Sequence, residues 1–248
     1  MAENFSLALT NDLESNKAAL PANFNVARFV QNSVALLNNN DTLAKFAKEH
    51  GTAQIKAGLM RAAFQNLDAL NNEIYLIPYG SALTYMPSFR GMSKMVKMYS
   101  TRKVRDIFAK VVREGDSFEE TIVNGQPSIN FSPKPFNNGE IIGVFGVCLF
   151  DDGGMIYETM SKEEVENCRK SSKSKNSPAW ASYWSEMAKK TVIRRLCKGI
   201  TLDMDATARE FFNAGTEIET DPSALADKEI EENANKEELT IESEAVIL

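Results

Sequence analysis

Apolar residues recur along this chain with two different periods, and the change of period divides it. From Phe24 to Leu37 the apolar positions Phe29, Val30, Val34 and Leu37 repeat at helical spacing, and the run closes on Asn38-Asn39-Asn40. Asp41 is placed to cap a short helix reaching Ala47. From Ala53 to Leu70 a second helical pattern sets Ile55, Leu59, Ala62, Ala63, Leu67 and Leu70 on one side, and Asn71-Asn72 breaks it. Glu73–Pro78 is a short strand candidate. A helix after Pro87 has Met92, Met95, Val96 and Tyr99 on its apolar side.

Beyond that helix the alternation shortens towards two. Lys103–Val112 alternates loosely and ends in the turn Glu114-Gly115-Asp116. Further strands are expected at Phe118–Val123, Ser128–Phe131, Ile141–Phe150 and Met155–Met160. Asn124-Gly125 and Asp151-Asp152-Gly153-Gly154 read as hairpin turns, because these residues tolerate positive φ. The pattern is that of an antiparallel meander, not a βαβ alternation. Helices then return. Ser161 and Glu164 fit a capping box for a helix reaching about Lys170. After the loop Ser171–Ser177, Pro178 suits the first turn of one long helix ended by Gly199. Its apolar stripe is Trp184, Ala188, Val192 and Leu196. After Arg209 the period weakens and acids dominate. The expected class is therefore α+β, a small antiparallel sheet packed with helices. The expected organisation is an N-terminal arm (1–22), a core (23–212), and an acidic tail (213–248) that is disordered or loosely helical.

Charge changes this picture most. The 248 residues carry a formal net charge of −6, yet residues 1–202 hold 25 bases against 20 acids. From Asp203 to Leu248 there are 14 acids and three bases. Two blocks are strongly basic. Arg90–Arg113 contains eight bases and one acid, and Arg169–Lys198 contains nine bases and only Glu186. On the first basic helix Arg90, Lys94 and Lys97 fall at i, i+4 and i+7, on one face. On the long helix Lys190, Arg194 and Lys198 form a similar row. A merely solvated face mixes signs. Rows of cations without interspersed acids suit a row of phosphates, so nucleic acid is the first partner to consider. Aromatic residues lie among the cations, and Tyr85, Phe89 and Tyr183 are candidates for stacking on unpaired bases. Trp184 is better read as core, since it begins an apolar stripe.

Signals for catalysis are poor. No G-x-x-x-x-G-K-[ST] occurs, which disfavours an ATP-driven strand-exchange motor. The lone histidine, His50, lies in a helical, non-basic region. Asp151, Asp152 and Glu158 could be drawn as a nuclease metal cluster, but Asp-Asp-Gly-Gly is better explained as a turn. Cys148, Cys168 and Cys197 form no C-x-x-C pair, so neither a disulfide framework nor a zinc site is suggested and a reducing cytoplasm is expected. The N-terminus does not read as a signal peptide, and no apolar run approaches the roughly 18 residues that would cross a membrane.

Four ordered segments carry a resemblance. Tyr75-Leu76-Ile77-Pro78-Tyr79-Gly80, then Ser88-Phe89-Arg90-Gly91-Met92, then Val111–Phe118 (VVREGDSF) resemble the first signature of RecT-type phage recombinases. Trp180–Lys198 (WASYWSEMAKKTVIRRLCK) resembles the second, and the likeness extends over roughly residues 25–210. The resemblance implies a single-strand annealing protein with an α+β fold, distantly similar to lambda Red beta. It further implies no catalytic site, no ATP and no resident cofactor or metal, with Mg²⁺ at most a modulator of annealing. The implied partners are single-stranded DNA, the annealed duplex intermediate and further copies of the chain in a ring or helical filament. A phage exonuclease and a host single-strand-binding protein stand as further partners. The implied setting is the cytoplasm of a bacterial host, with the protein encoded by a phage or prophage. Carried to this chain, the DNA-binding positions are Arg90, Lys94, Lys97, Arg102, Lys103, Arg105, Arg113, Lys173, Lys175, Lys189, Lys190, Arg194, Arg195 and Lys198. Arg113 has Glu114 and Asp116 nearby as structural partners, and Arg195 could lie partly under its helix in a salt bridge. Two rivals are a metal-dependent nuclease and a passive single-strand-binding protein.

Overall fold

In the computed structural model of the chain, residues 2–172 and 175–216 are described. Four helices open it: α1 (Ala2–Ser15), α2 (Val26–Asn39), α3 (Asp41–His50) and α4 (Ala53–Phe64). A hairpin follows, β1 (Ile74–Tyr79) and β2 (Ala82–Pro87), then helix α5 (Phe89–Tyr99). Next come β3 (Val104–Arg113), β4 (Ser117–Val123), β5 (Gln126–Ser132), β6 (Ile141–Phe150) and β7 (Met155–Ser161). Helices α6 (Lys162–Ser171), α7 (Pro178–Ser182), α8 (Trp184–Lys198) and α9 (Ala206–Thr216) complete it.

The fold is α+β, as expected, but the strands do not run as a simple meander. Their order in the main sheet is β3-β6-β7, all antiparallel, while β4 pairs only with β5. The β4–β5 hairpin is inserted between neighbours and folds over the sheet. That explains why β6 reads as a continuous apolar run. Side chains alternate across a strand. Phe145 and Val147 point towards the hairpin, where Phe118 and Phe131 pack their rings 5.2 and 5.1 Å from that of Phe145. Val144, Cys148 and Phe150 point the other way, into the helical cores. Gly146 lies under α8, where a Cβ would meet Leu196 and Val192 at 3.4 and 3.5 Å. A strand covered on both faces has no polar side to show.

Within the first 22 residues, expected as an arm, helix α1 packs into the core. Phe5, Leu9 and Leu13, spaced by four, are buried in the same cluster as α2, α4 and α5. The expected long helix is broken. Tyr183 (φ −134°, ψ 44°) separates the short α7 from α8, so Trp180 and Trp184 belong to different helices. Strand β2 carries no clear alternation and goes unseen in the sequence. The cap of α3 is Asn40, whose side chain accepts from Leu43 N–H, one residue before the expected Asp41. The capping box of Ser161 and Glu164 forms as read. Asn124 and Gly125 both take positive φ (51° and 75°), as a tight hairpin turn requires. Cys148 and Cys197 are buried free thiols, and burial pushes Cys197 up to about 12. The expected tail falls on α9 as far as residue 216; residues 217–248 lie outside the described residues.

Candidate nucleic-acid interface

The two signature segments meet. Helices α5 and α8 pack together although about a hundred residues separate them. Their junction holds a cleft of about 250 Å³ lined by Asn72, Tyr75, Phe89, Arg90 and Lys190. The Arg90 guanidinium and the Lys190 ammonium lie 5.7 and 5.8 Å from the centre of the Phe89 ring. Two cations thus lie against one half-buried aromatic ring, an arrangement that holds the charges in place without neutralising them.

The residues around this cleft explain why the segment has its sequence. Ser88 caps α5, its hydroxyl accepting from Arg90 and Gly91 N–H and donating to Asn72 C=O. Gly91 lets α5 approach the chain at Glu73, since a Cβ there would stand 2.0 Å from Glu73 C=O. Ser88 and Gly91 therefore set the helix, and Phe89 and Arg90 are what it presents.

A second cleft, of about 300 Å³, is also reached by a lysine of α8. Lys110, Val111, Arg113, Asp116, Phe131, Pro133, Lys134, Asn137 and Lys189 line it. It lies beside β3, the outer strand of the sheet, which is why residues from α8 and from the β4–β5 layer both reach it. Lys189 and Lys190 are consecutive on α8 and point about 100° apart around its axis, so the helix supplies one cation to each cleft, and Arg90, Lys190, Lys189, Lys110 and Lys134 form a basic track over two adjacent faces. Lys189, partly buried, also reaches the exposed Glu186 at 2.6 Å, an i,i+3 surface pair whose net worth is small. Arg113 donates to Gly139 C=O at 2.7 Å, so its role is at least partly to hold the β5–β6 loop.

Other expected positions lie outside the two clefts, several of them in ion pairs. Lys94 pairs with Glu73 at 2.8 Å and Lys97 with Asp106 at 3.5 Å. Arg102 grips Asp152 and lies 3.9 Å from the centre of the Phe150 ring. Lys103 pairs with Asp151 at 2.7 Å. Arg195 pairs with Glu158 at 2.7 Å and Glu164 at 3.5 Å. Asp151, Asp152 and Glu158, which could have been drawn as a metal cluster, thus each hold a cation. The bidentate Arg102 pair and the Gly154 N–H keep the Asp152 carboxyl below its ordinary range. Arg102 and Lys103 sit at the far end of β3 from Lys110 and Arg113, at about 3.3 Å per residue. Arg105 is exposed where β3 slips register. Arg194 is half-buried, and Lys175 and Lys198 are exposed. Lys173 lies outside the described residues.

Of the aromatic candidates, Phe89 lines the first cleft. Tyr85 packs against α4 at Gly58, with Arg61 5.6 Å from its ring centre. Tyr183 is 66% exposed at the α7–α8 break. Trp184 is half-buried and donates to Glu166 at 2.5 Å. Sequence reasoning about the site passed over Asn72 and Lys134, which carry no periodic signal. Tyr75 was visible only as part of a signature, and Lys110 only as part of a basic block.

The sequence model of the RecT family matches residues 27–238. The chain belongs to the RecT family. Among curated proteins it is similar to Protein RecT of Escherichia coli (strain K12), at 30% identity over 139 residues. That alignment covers 53% of this chain and 51% of the relative, so the chain spans about half the length of the curated relative it matches. Both signature helices of this RecT-family chain, α5 and α8, lie within the family match. Among the described residues, no helix is long and apolar enough to cross a membrane.

Proposed function

We propose that this RecT-family chain binds single-stranded DNA along the α5–α8 track and promotes annealing of complementary strands in recombination, without ATP. The observation that carries the reading is the pair of cations, Arg90 and Lys190, brought from distant segments to within 6 Å of the Phe89 ring centre in one cleft. Annealing is slowed by repulsion between two phosphate backbones. A basic track lowers that repulsion and concentrates strands. Holding phosphates leaves base edges free to test each other, so binding is sequence-independent. Several copies side by side would extend the track, which accords with an oligomeric working form. An exonuclease that exposes single strands, and a host protein that coats them, are the partners such a reaction calls for.

The test is annealing of two labelled complementary oligonucleotides without nucleotide cofactor, over a salt series. Fast annealing of intact strands is expected, and Arg90→Ala with Lys190→Ala should slow it at least tenfold. If both cations meet phosphates, the slope of log affinity against log salt should fall by about 1.4, at about 0.7 per contact. Cleavage once Mg²⁺ is added would point to a nuclease, and binding without acceleration to a passive single-strand binder.

A further inference from the structure

Phe136 is 99% exposed, and its backbone takes φ +51°. Each fact is unusual for a bulky aromatic residue. A ring fully in water forgoes burial, and a non-glycine residue in the left-handed region is strained. Such strain persists only where the surroundings over-determine the backbone, and it gathers at sites that handle ligands.

The surroundings here do over-determine it. Asp116 accepts from Lys134 N–H at 2.9 Å and from the Asn137 side-chain amide at 2.7 Å through one oxygen, and from Arg113 N–H at 2.8 Å through the other. These three donors, the Asn137 amide first, keep the Asp116 carboxyl below its ordinary range. The Asn137 amide also donates to Glu114 C=O at 2.9 Å, while its oxygen accepts from Gly139 N–H at 2.8 Å. Arg113 closes the loop through Gly139 C=O at 2.7 Å. A Cβ at Gly139 would stand 2.8 Å from Glu114 C=O, so the loop has no slack. The segment 133–139 is a braced turn that holds one aromatic ring in solvent.

Its location suggests what the ring meets. Lys134 and Asn137, on either side of Phe136 in the chain, line the second cleft with Lys110, Arg113 and Lys189. The exposed apolar residues of the hairpin tip, Ile122 and Val123, lie at the opposite end of β4–β5, about 20 Å away at 3.3 Å per residue. One exposed ring, its chain neighbours Lys134 and Asn137 lining a cleft with three further cations, is too small for a protein interface core but suits one planar, uncharged face beside phosphates.

We infer that Phe136 is a fixed stacking platform for an unpaired nucleobase of a DNA strand whose phosphates lie on Lys110, Lys134 and Lys189. This rests on the single-strand reading above and adds a position that touches bases, where the cation track touches only the backbone.

The experiment uses the full chain and two single strands of equal length, one of thymidines and one of abasic sugar-phosphates, compared by titration. Wild type is expected to favour the thymidine strand. Phe136→Ala should lower affinity for that strand about fivefold or more and leave the abasic strand unchanged, since stacking is worth roughly 1–3 kcal/mol per base. Phe136→Trp should keep the preference and show fluorescence quenched by thymidine. Phe136→Asn, which tolerates positive φ, should match wild type or better in melting temperature yet lose the preference, separating stacking from folding. Equal loss on both strands, or no loss, overturns the assignment. A fall in self-association with unchanged thymidine preference would give the ring to a contact between copies and overturn it too. A wild-type chain that binds neither strand removes the single-strand reading and this assignment together.

Discussion

Gly91 illustrates how much a single position in a signature can be about approach rather than ligand. The glycine sits in α5, where its missing Cβ is replaced by Glu73 C=O, with the Glu73 carbonyl carbon at 3.1 Å and Leu67 at 3.3 Å from the same point. The listening side of that contact is ordered too. Glu73 accepts from Asp68 N–H and holds Lys94, so it cannot retreat without losing both. Gly91→Ala therefore forces the helix off the β1–β2 hairpin. Alanine is the better helix former by about 1 kcal/mol, but overpacking against backbone costs about 1–3 kcal/mol or more, so the clash wins. The expected outcome is net destabilisation in urea denaturation, with annealing lost in step because Arg90 is carried away from Lys190. An alanine variant as stable as wild type would mean that α5 does not press on Glu73 in solution.

At the scale of elements, α1 is the part that the chain's pattern concealed. Its three buried positions are spaced correctly, but Leu7, 62% exposed, and a polar remainder dilute the apolar face. Leu9 is wholly buried. Leu9→Ala is expected to cost about 2–5 kcal/mol, read as a shifted urea midpoint with unchanged slope. A cost below about 1 kcal/mol would return α1 to the status of an arm. The other elements divide by the range of the forces that make them. The α5 helix, the β4–β5 hairpin and the α6 capping box were legible because each is decided by neighbours in sequence. The break at Tyr183 was not, because Pro178 signals a start and the apolar stripe continues past the break. The placement of β4–β5 over β6 was not either, because it depends on Phe118 and Phe131 finding Phe145. The site divides the same way. The basic rows on α5 and α8 could be read, and the meeting of Arg90 with Lys190 could not. Nor could the ion pairs of Arg102 and Lys103, whose acids lie 50 and 48 residues away along the chain, whereas a salt bridge of Arg195 was raised from the sequence without its partners Glu158 and Glu164.

For the whole molecule the question is how a chain with net charge −6 binds a polyanion at all. The answer proposed here is separation of charge. The described track is cationic, while residues 217–248 hold eleven acids against two bases. Because the chain tethers those acids to the protein, we expect them to compete with phosphates for the track. Such competition is electrostatic, and at about 0.15 M salt it is already screened beyond about 8 Å. Ending the chain at Thr216 should therefore tighten single-strand binding several-fold at about 0.02 M salt, with the gain shrinking to nothing near 0.5 M. The salt slope should steepen as well, because phosphates then displace counterions rather than carboxylates. Fluorescence anisotropy of a labelled oligothymidine against both chains, at each salt, measures affinity and slope together. Equal affinity at low salt would show that the acidic segment does not reach the track, leaving its charge to serve some contact other than competition with DNA.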